Sequence, residues 1–199
     1  GQVLFKAHSA NQYIFYDNFD GTYSPYPGIK ATLTRSGSDY VITTSAQATY
    51  TFDAEGKLIT WTNTAGHSWT YTYNASGQLI QVESGARHIS LVYEAGRLKT
   101  VSDHTGRQVT FNYDPTTGDL ASVVDVNNKT WTYHYDGTSH RLTEVIDPLN
   151  HTIERTVYDP QGRAIQQFNG EDELIVSLTY NADGTTTVTD GLGHSTLHD

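Results

Sequence analysis

The chain has no cysteine and no methionine in 199 residues. Without cysteine there is neither a disulfide framework nor a thiolate metal site. An oxidising compartment remains open to such a chain. The lack of methionine, even at position 1, points to a processed product or an excised piece. No apolar run approaches the roughly 20 residues of a membrane-spanning helix, and no signal peptide is visible. Basic residues are scarce: 12 Lys and Arg stand against 22 Asp and Glu, a formal net charge of −10, with a pI near 5.2. That balance argues against nucleic-acid binding, which needs a basic footprint, and against docking on an anionic membrane. Hydrophobic residues make up only 36% and mean hydropathy is −0.51. These values suit much two-sided surface rather than one thick core. No apolar stripe of helical period occurs.

What is present is strand-favouring. Tyr, Thr, Val and Ile are plentiful, so the chain is not a disordered one. It also repeats. An aromatic residue followed by an acid, amide or close equivalent recurs at Phe52-Asp53, Tyr73-Asn74, Tyr93-Glu94, Tyr113-Asp114, Tyr135-Asp136, Tyr158-Asp159 and Tyr180-Asn181. Successive spacings are 21, 20, 20, 22, 23 and 22 residues. A fixed period of this size is the mark of a repeat architecture.

Each copy carries two turn signals. One follows the aromatic residue, as in Asp53-Ala-Glu-Gly56 and Asp159-Pro-Gln-Gly162. The second lies about ten residues on, as in Asn63-Thr-Ala-Gly66, Asp103-His-Thr-Gly106, Asp147-Pro-Leu-Asn150 and Asp190-Gly-Leu-Gly193. An Asp or Asn at the first position bonds back to the main chain, and Gly or Asn at the fourth accepts a left-handed conformation. Such turns join neighbouring antiparallel strands, with a bulge at the glycine. Between turns, "HSWTYTY" (67–73) and "KTWTYHY" (129–135) alternate bulky and small residues with the period of a strand. "RLKTVS" (97–102) and "RLTEVI" (141–146) are less regular. Their Leu-x-x-Val spacing predicts a bulge, or apolar contacts on both faces. The fold expected is all-β: tandem repeats building one long, curved or coiled antiparallel sheet, with stability set by each repeat and its neighbours.

The unit Gly-Arg-Leu…Asp-x-x-Gly…Tyr-x-Tyr-Asp resembles the YD repeat of the Rhs (rearrangement hot spot) proteins. That repeat also occurs in wall-associated toxins, insecticidal toxin-complex C subunits and teneurins. The resemblance covers Thr49 to Asp199 and is closest at Gly96–Asp114 and Tyr158–Arg163. It divides the chain into seven YD repeats over 49–199, the last truncated, and a pre-repeat β segment of Rhs type over 1–48. In the second of these, "YIFYDNFDGTYSPYPGIKATLTR" (13–35) resembles the stretch that precedes the repeats, and a hairpin is expected at Arg35-Ser-Gly-Ser-Asp39. The resemblance implies a non-enzymatic structural module. In Rhs and related toxins many such repeats wind into a hollow β-shell around a toxic C-terminal domain; in teneurins the shell belongs to an adhesion receptor. "DPQG" (159–162) resembles the core that ends the Rhs shell, yet its register makes it an ordinary turn. The expectation is therefore a partial shell without cargo or self-cleaving core, from a secreted or cell-surface bacterial protein. Its partners would be the rest of the same shell and the enclosed toxin domain. Self-association through sheet edges is a further expectation.

No side-chain constellation points to catalysis, a metal or a cofactor. His67, His151 and His194 share one repeat position with Arg107 and Lys129, as an exposed strand start would. His194 and His198 have the spacing of metal ligands on a helix, but on a strand they stand about 13 Å apart. The acids Asp53, Asp103, Asp114, Asp125, Asp136, Asp147, Asp159 and Asp190 all begin turns, and lack the asymmetry of a catalytic pair. "DNFDGT" (17–22) lacks the bidentate Glu of a calcium loop. No Gly-x-Ser-x-Gly elbow or phosphate loop occurs. The aromatic rows leave an alternative open. Trp69 and Trp131 share a repeat position, two residues before Tyr71 and Tyr133. These four rings are either cross-strand packing or a stacking platform for glycans in an extracellular adhesion module.

Overall fold

The structure, a computed structural model, describes residues 1–6 and 12–199. Among the described residues the regular secondary structure is β-strand apart from a 3-10 turn at Gly137–Ser139. The antiparallel, all-β repeat architecture read from the sequence is what the chain adopts. It divides into two compact units: Gly1–Val92 with Ser102–Gly106, and Tyr93–Val101 with Arg107–Asp199.

In the first unit, β1 (Gln2–Lys6), β2 (Gln12–Asp17) and β3 (Tyr23–Pro25) form a small sheet in that order. A second sheet runs in sequence order through β4 (Ala31–Ser36), β5 (Asp39–Thr44), β6 (Thr49–Phe52), β7 (Leu58–Thr62), β8 (Ser68–Tyr73), β9 (Leu79–Ser84) and β10 (Arg87–Glu94). The expected hairpin at Arg35–Asp39 joins β4 and β5, with Ser36 opposite Asp39. The buried core lies where these sheets meet. Phe5, Phe15, Ala31, Leu33 and Ile42 are buried, and Val3, Tyr13, Tyr23, Ile29, Tyr40, Tyr50 and Phe52 pack around them. The second unit continues the same pattern through β11 (Arg97–Asp103), β12 (Gln108–Tyr113), β13 (Leu120–Val124), β14 (Thr130–Tyr135), β15 (Leu142–Ile146), β16 (Thr152–Tyr158), β17 (Ala164–Asn169), β18 (Leu174–Tyr180), β19 (Thr186–Asp190) and β20 (Ser195–His198). Among its described residues no hydrophobic side chain is fully buried. Its stability must therefore come from half-buried rows and from the turns.

The turns are built alike. At Asp147 the N–H donates to the His151 carbonyl (2.9 Å), and the Asp147 carbonyl accepts from Asn150 N–H (3.0 Å). Asn150 takes φ +65°. The Asp147 carboxylate then accepts the N–H groups of Leu149 and His151, both at 2.8 Å. Asp53, Asn63, Asn74, Asp125, Asn169 and Asp190 repeat this pair of side-chain bonds. The turn at Asn169 is one that the glycine signal does not reveal, because Asp172 fills the left-handed place at φ +60°. The shortened Glu94-Ala95-Gly96 turn has both central residues left-handed, at φ +48° and +81°. This is the arrangement that a two-residue hairpin loop favours.

Of the two irregular strands, 141–146 contains the expected bulge, and a bulge recurs at that place in other repeats. Tyr73 lies opposite Leu79 but Thr72 opposite Gln81, so Ile80 is the extra residue. The same register shift leaves Ile59, Ala121, Thr143 and Ile165 unpaired. A bulge reverses the alternation of faces. Leu79 therefore shares a face with Val82, which lies opposite Tyr71. The Leu-x-x-Val spacing thus builds one apolar face rather than two. The other face is polar: Glu144 bonds Thr152 Oγ1 (2.6 Å) and His134 Nδ1 (3.1 Å), and Asn112 bridges Lys99 (3.2 Å) and Ser122 (3.1 Å).

Two outcomes test the turns. Gly106 sits at φ +87° with open space around its Cα, so Gly106→Ala should cost about 1 kcal/mol from backbone strain alone. The shift of the urea midpoint measures it. The second concerns acid. Main-chain N–H groups hold Asp147 and Asp159 below the ordinary carboxylate range, with His151 and Arg163 the leading donors; for Asp190 the His194 side chain leads. Folding thus favours their ionised forms. That contribution is complete above the unfolded value of about 3.9 and is lost as pH falls through the lower folded values. The melting temperature should hold from neutrality to about pH 5 and drop below about pH 4. Asp147→Asn with Asp159→Asn should flatten that drop.

Candidate functional site

The repeat signature resolves into one contact set. Tyr73 Oη donates to the Leu58 carbonyl (2.9 Å), Tyr113 to Leu98 (3.0 Å), Tyr158 to Leu142 (2.8 Å) and Tyr180 to Ala164 (2.9 Å). Each bond ties the end of one strand to the start of the strand before it. The second turn closes the other end of that strand pair. Over each of these rings lies the basic residue that precedes the acceptor. Lys57 Nζ is 5.7 Å from the Tyr73 centroid, Arg97 Cζ 5.5 Å from Tyr113, Arg141 5.9 Å from Tyr158 and Arg163 4.0 Å from Tyr180. The cations reach onward to the next turn. A Cβ at Gly118 would overlap the Arg97 guanidinium, one at Gly162 the Arg141 guanidinium, and one at Gly77 would stand 3.3 Å from Lys57 Nζ. The Gly-Arg-Leu…Tyr-Asp signature is thus a strap between successive repeats. Burial, and next the carboxylate that begins the previous turn, raise the hydroxyls of Tyr73 (Asp53) and Tyr158 (Asp136) above the ordinary phenol range.

The four rings singled out as a glycan platform are half-buried. On β8, Trp69, Tyr71 and Tyr73 occupy the less exposed face, and Ser68, Thr70 and Thr72 the exposed one. Trp69 stacks on Trp61 across the strand pair, with centroids 4.4 Å apart and planes at 21°. Tyr71 stands opposite Val82. Burial, then the nearby Tyr50, raise its hydroxyl. In the second unit, Trp131 stands opposite Val123 and Tyr133 opposite Val145. Trp61 is the ring that sequence reasoning passed over. It occupies the Val place of Leu58-x-x-Trp61, which the bulge turns onto the aromatic face. From there Tyr50 (6.2 Å to Trp61) and Phe5 (5.0 Å to Tyr50) carry the aromatic row to the core of the first unit. The Leu-x-x-Val spacing was the signal for it.

Two of the histidines after the second turns, His151 and His194, are exposed but partnered. His151 Nδ1 lies 3.4 Å from the Asp147 carboxylate, and His194 Nδ1 2.9 Å from Asp190. His198 is on β20, away from that pair in register. Among the described residues no group of three or more His, Asp or Glu could hold a metal ion. Asp17 and Asp20 bond within their own loop, Asp20 to Thr22 N–H (2.9 Å) and Oγ1 (2.6 Å). Other repeats depart from the strap: Gln78 and Asp119 stand where Lys57, Arg97, Arg141 and Arg163 do in their repeats. His140 stands where the other copies have Gly, and His140 Nδ1 lies 2.8 Å from Asp119 Oδ1.

Comparison with known proteins places these observations. The RHS repeat family model matches residues 52–88 and 116–152. No curated protein matches the chain. Among solved structures it is similar to the crystal structure of TcdB2-TccC3 without its hypervariable C-terminal region, at 12% identity and a TM-score of 0.44, over 90% of this chain and 14% of that one. It is also similar to a structure of the Photorhabdus luminescens Tc holotoxin pore with a mutant TccC3, at 12% identity and a TM-score of 0.44, over 95% of this chain and 15% of that one. The chain therefore spans about a seventh of the length of these structures.

The strap predicts a specific loss. Tyr180→Phe keeps the ring under Arg163 and removes only the hydroxyl bond to Ala164, so it should cost about 1 kcal/mol in urea unfolding; Tyr180→Ala should cost more, because the ring and its cation contact also go. Residues 52–88 carry the turn, bulge and strap elements described above and 116–152 carry the turn and the bulge, and over these two stretches the chain matches the RHS repeat.

Proposed function

We propose that the chain is a non-enzymatic wall segment of a β-shell that encloses and protects the toxic C-terminal domain of a secreted or cell-surface bacterial toxin. The observation that carries the reading is the strap. It recurs at Tyr73, Tyr113, Tyr158 and Tyr180, and it extends a thin sheet repeat by repeat without a thick core. A wall is what such a design makes: two usable faces, and stability that depends on neighbouring repeats. The division into a pre-repeat segment over 1–48 and seven repeats over 49–199 belongs to this proposal. So do its partners, the remaining repeats of the parent shell and the domain enclosed. The Tc toxin structures named above are in keeping with a toxin setting.

The adhesion reading rests on Trp69, Tyr71, Trp131 and Tyr133 as glycan-stacking rings. It has less support, because Trp69 already covers Trp61 and all four rings are half-buried. The experiment that separates the readings uses the native gene product containing this sequence. With the shell reading, limited proteolysis should leave a C-terminal domain protected until the repeats are cut. A product whose C-terminal region is digested as fast as an isolated control, and whose binding to a glycan array is lost on Trp69→Ala with Trp131→Ala, would establish the adhesion reading instead.

A further inference from the structure

The departure at Asp119 leaves a place unfilled. Four straps put an intramolecular cation over a tyrosine ring, at Lys57, Arg97, Arg141 and Arg163. Two further tyrosines share the register: Tyr93, with Gln78 at the basic place, and Tyr135, which has no cation over its ring among the described residues. Asp119, directly after its turn, takes the basic residue's position. Its side chain is 12% exposed. His140 holds Oδ1, while Oδ2 is buried with no hydrogen-bond partner. A carboxylate oxygen in that state is unfavourable unless a donor reaches it. Beside it opens a cavity of about 410 Å³, lined by Asp114, Thr117, Asp119, Ala121, Tyr133 and Tyr135 among others. The place thus joins an aromatic ring, a carboxylate short of one donor, and the space that an absent side chain would occupy.

We propose that this cavity binds a guanidinium group, presented by an arginine of a partner polypeptide, with its plane over Tyr135 and its N–H groups directed to Asp119. The protein supplies the precedent. Three of its four internal cations are Arg, and Arg163 lies over Tyr180 while its Nε bonds the Asp159 carboxylate at 2.8 Å. Tyr135 likewise has a carboxylate beside it and no cation; this carboxylate, Asp119, comes from the cation's own position rather than from the start of the turn, which is Asp114. A planar fork matches both elements better than a compact ammonium does. The chain's net charge of −10 favours a cationic partner on approach. The exchange of Gly for His140 fits this account. At Gly118 and Gly162 a Cβ would collide with the internal Arg; once that Arg is gone, a side chain is tolerated there and steadies Asp119. The inference stands whether or not the sheet encloses a toxin.

The test titrates the intact chain with N-acetyl-arginine amide, following backbone amide NMR shifts. Saturable shifts centred on Asp119, Ala121 and Tyr135 are expected, with no saturation by the neutral citrulline analogue. Asp119→Asn should weaken binding by about tenfold or more, the loss of a charge-assisted hydrogen bond. Asp119→Arg combined with His140→Gly rebuilds the strap seen at Arg97 and Gly118; it should abolish the shifts and raise the melting temperature. Equal saturation by citrulline, shifts that persist unchanged in the double variant, or no saturable shift with the arginine probe would overturn the site. Tighter binding of free arginine than of the capped form would overturn the polypeptide source.

Discussion

A tyrosine hydroxyl that donates to a main-chain carbonyl 15 or 16 residues upstream is the contact on which the repeats depend. Each strand pair has a turn at one end only. At the other end the strands would splay, since a hairpin without further strands or a packed face is marginal in water. The tyrosine closes that end. The cation over its ring covers the aromatic face and, at three repeats, reaches the glycine of the following turn. One residue type at one place thus joins three successive elements: the strand before, the strand it ends, and the turn it begins. The bulge after Leu58, Leu79, Leu120 and Leu142 serves the same end. It places Leu and the residue three positions on beside the tyrosine row, so that a thin sheet has one coherent apolar face.

Charge is arranged around the same turns. Where Asp begins a turn, the residue four or five places on is often Arg or His: Arg141 and Arg163 pair with Asp136 and Asp159, and His151 and His194 lie beside Asp147 and Asp190. At Asn74, Asn169 and Asn181 that residue is an acceptor: Gln78 Oε1, Glu173 Oε2 and Thr185 Oγ1 each take a bond from the Asn amide. A carboxylate only accepts and an amide also donates, so the partner changes with the turn residue. These pairs are exposed, and such pairs add little individually. Their effect is to hold the turn carboxylate or amide where it can accept main-chain N–H groups.

The first unit follows a different economy. Phe5, Phe15, Ala31, Leu33 and Ile42 form a buried core between two sheets, and Trp61 with Trp69 extends its aromatic row along the repeats. Trp61 was legible in principle, since it occupies the Val place of a recurring Leu-x-x-Val. Reading it required knowing that the bulge returns that position to the aromatic face. The turn at Asn169 escaped notice for a similar reason. Its left-handed residue is Asp172, a type that turns tolerate less often than glycine but that local hydrogen bonds can support.

The sequence alone determined the period, the antiparallel sheet and the turns. Those features are local: strand alternation and the Asp-x-x-Gly geometry are set within a few residues. It also carried the tyrosines and basic residues of the strap, but not their pairing. Only the tertiary structure decided that Arg97 lies on Tyr113 and against Gly118, and that Tyr113 reaches Leu98, because those partners are 15 or more residues apart and meet only when neighbouring strands align. For the same reason the exchange of Arg for Asp119 and of Gly for His140 reads in the sequence as two weakened positions. In space it is one coordinated change, since both side chains converge on Tyr135's end of the strand.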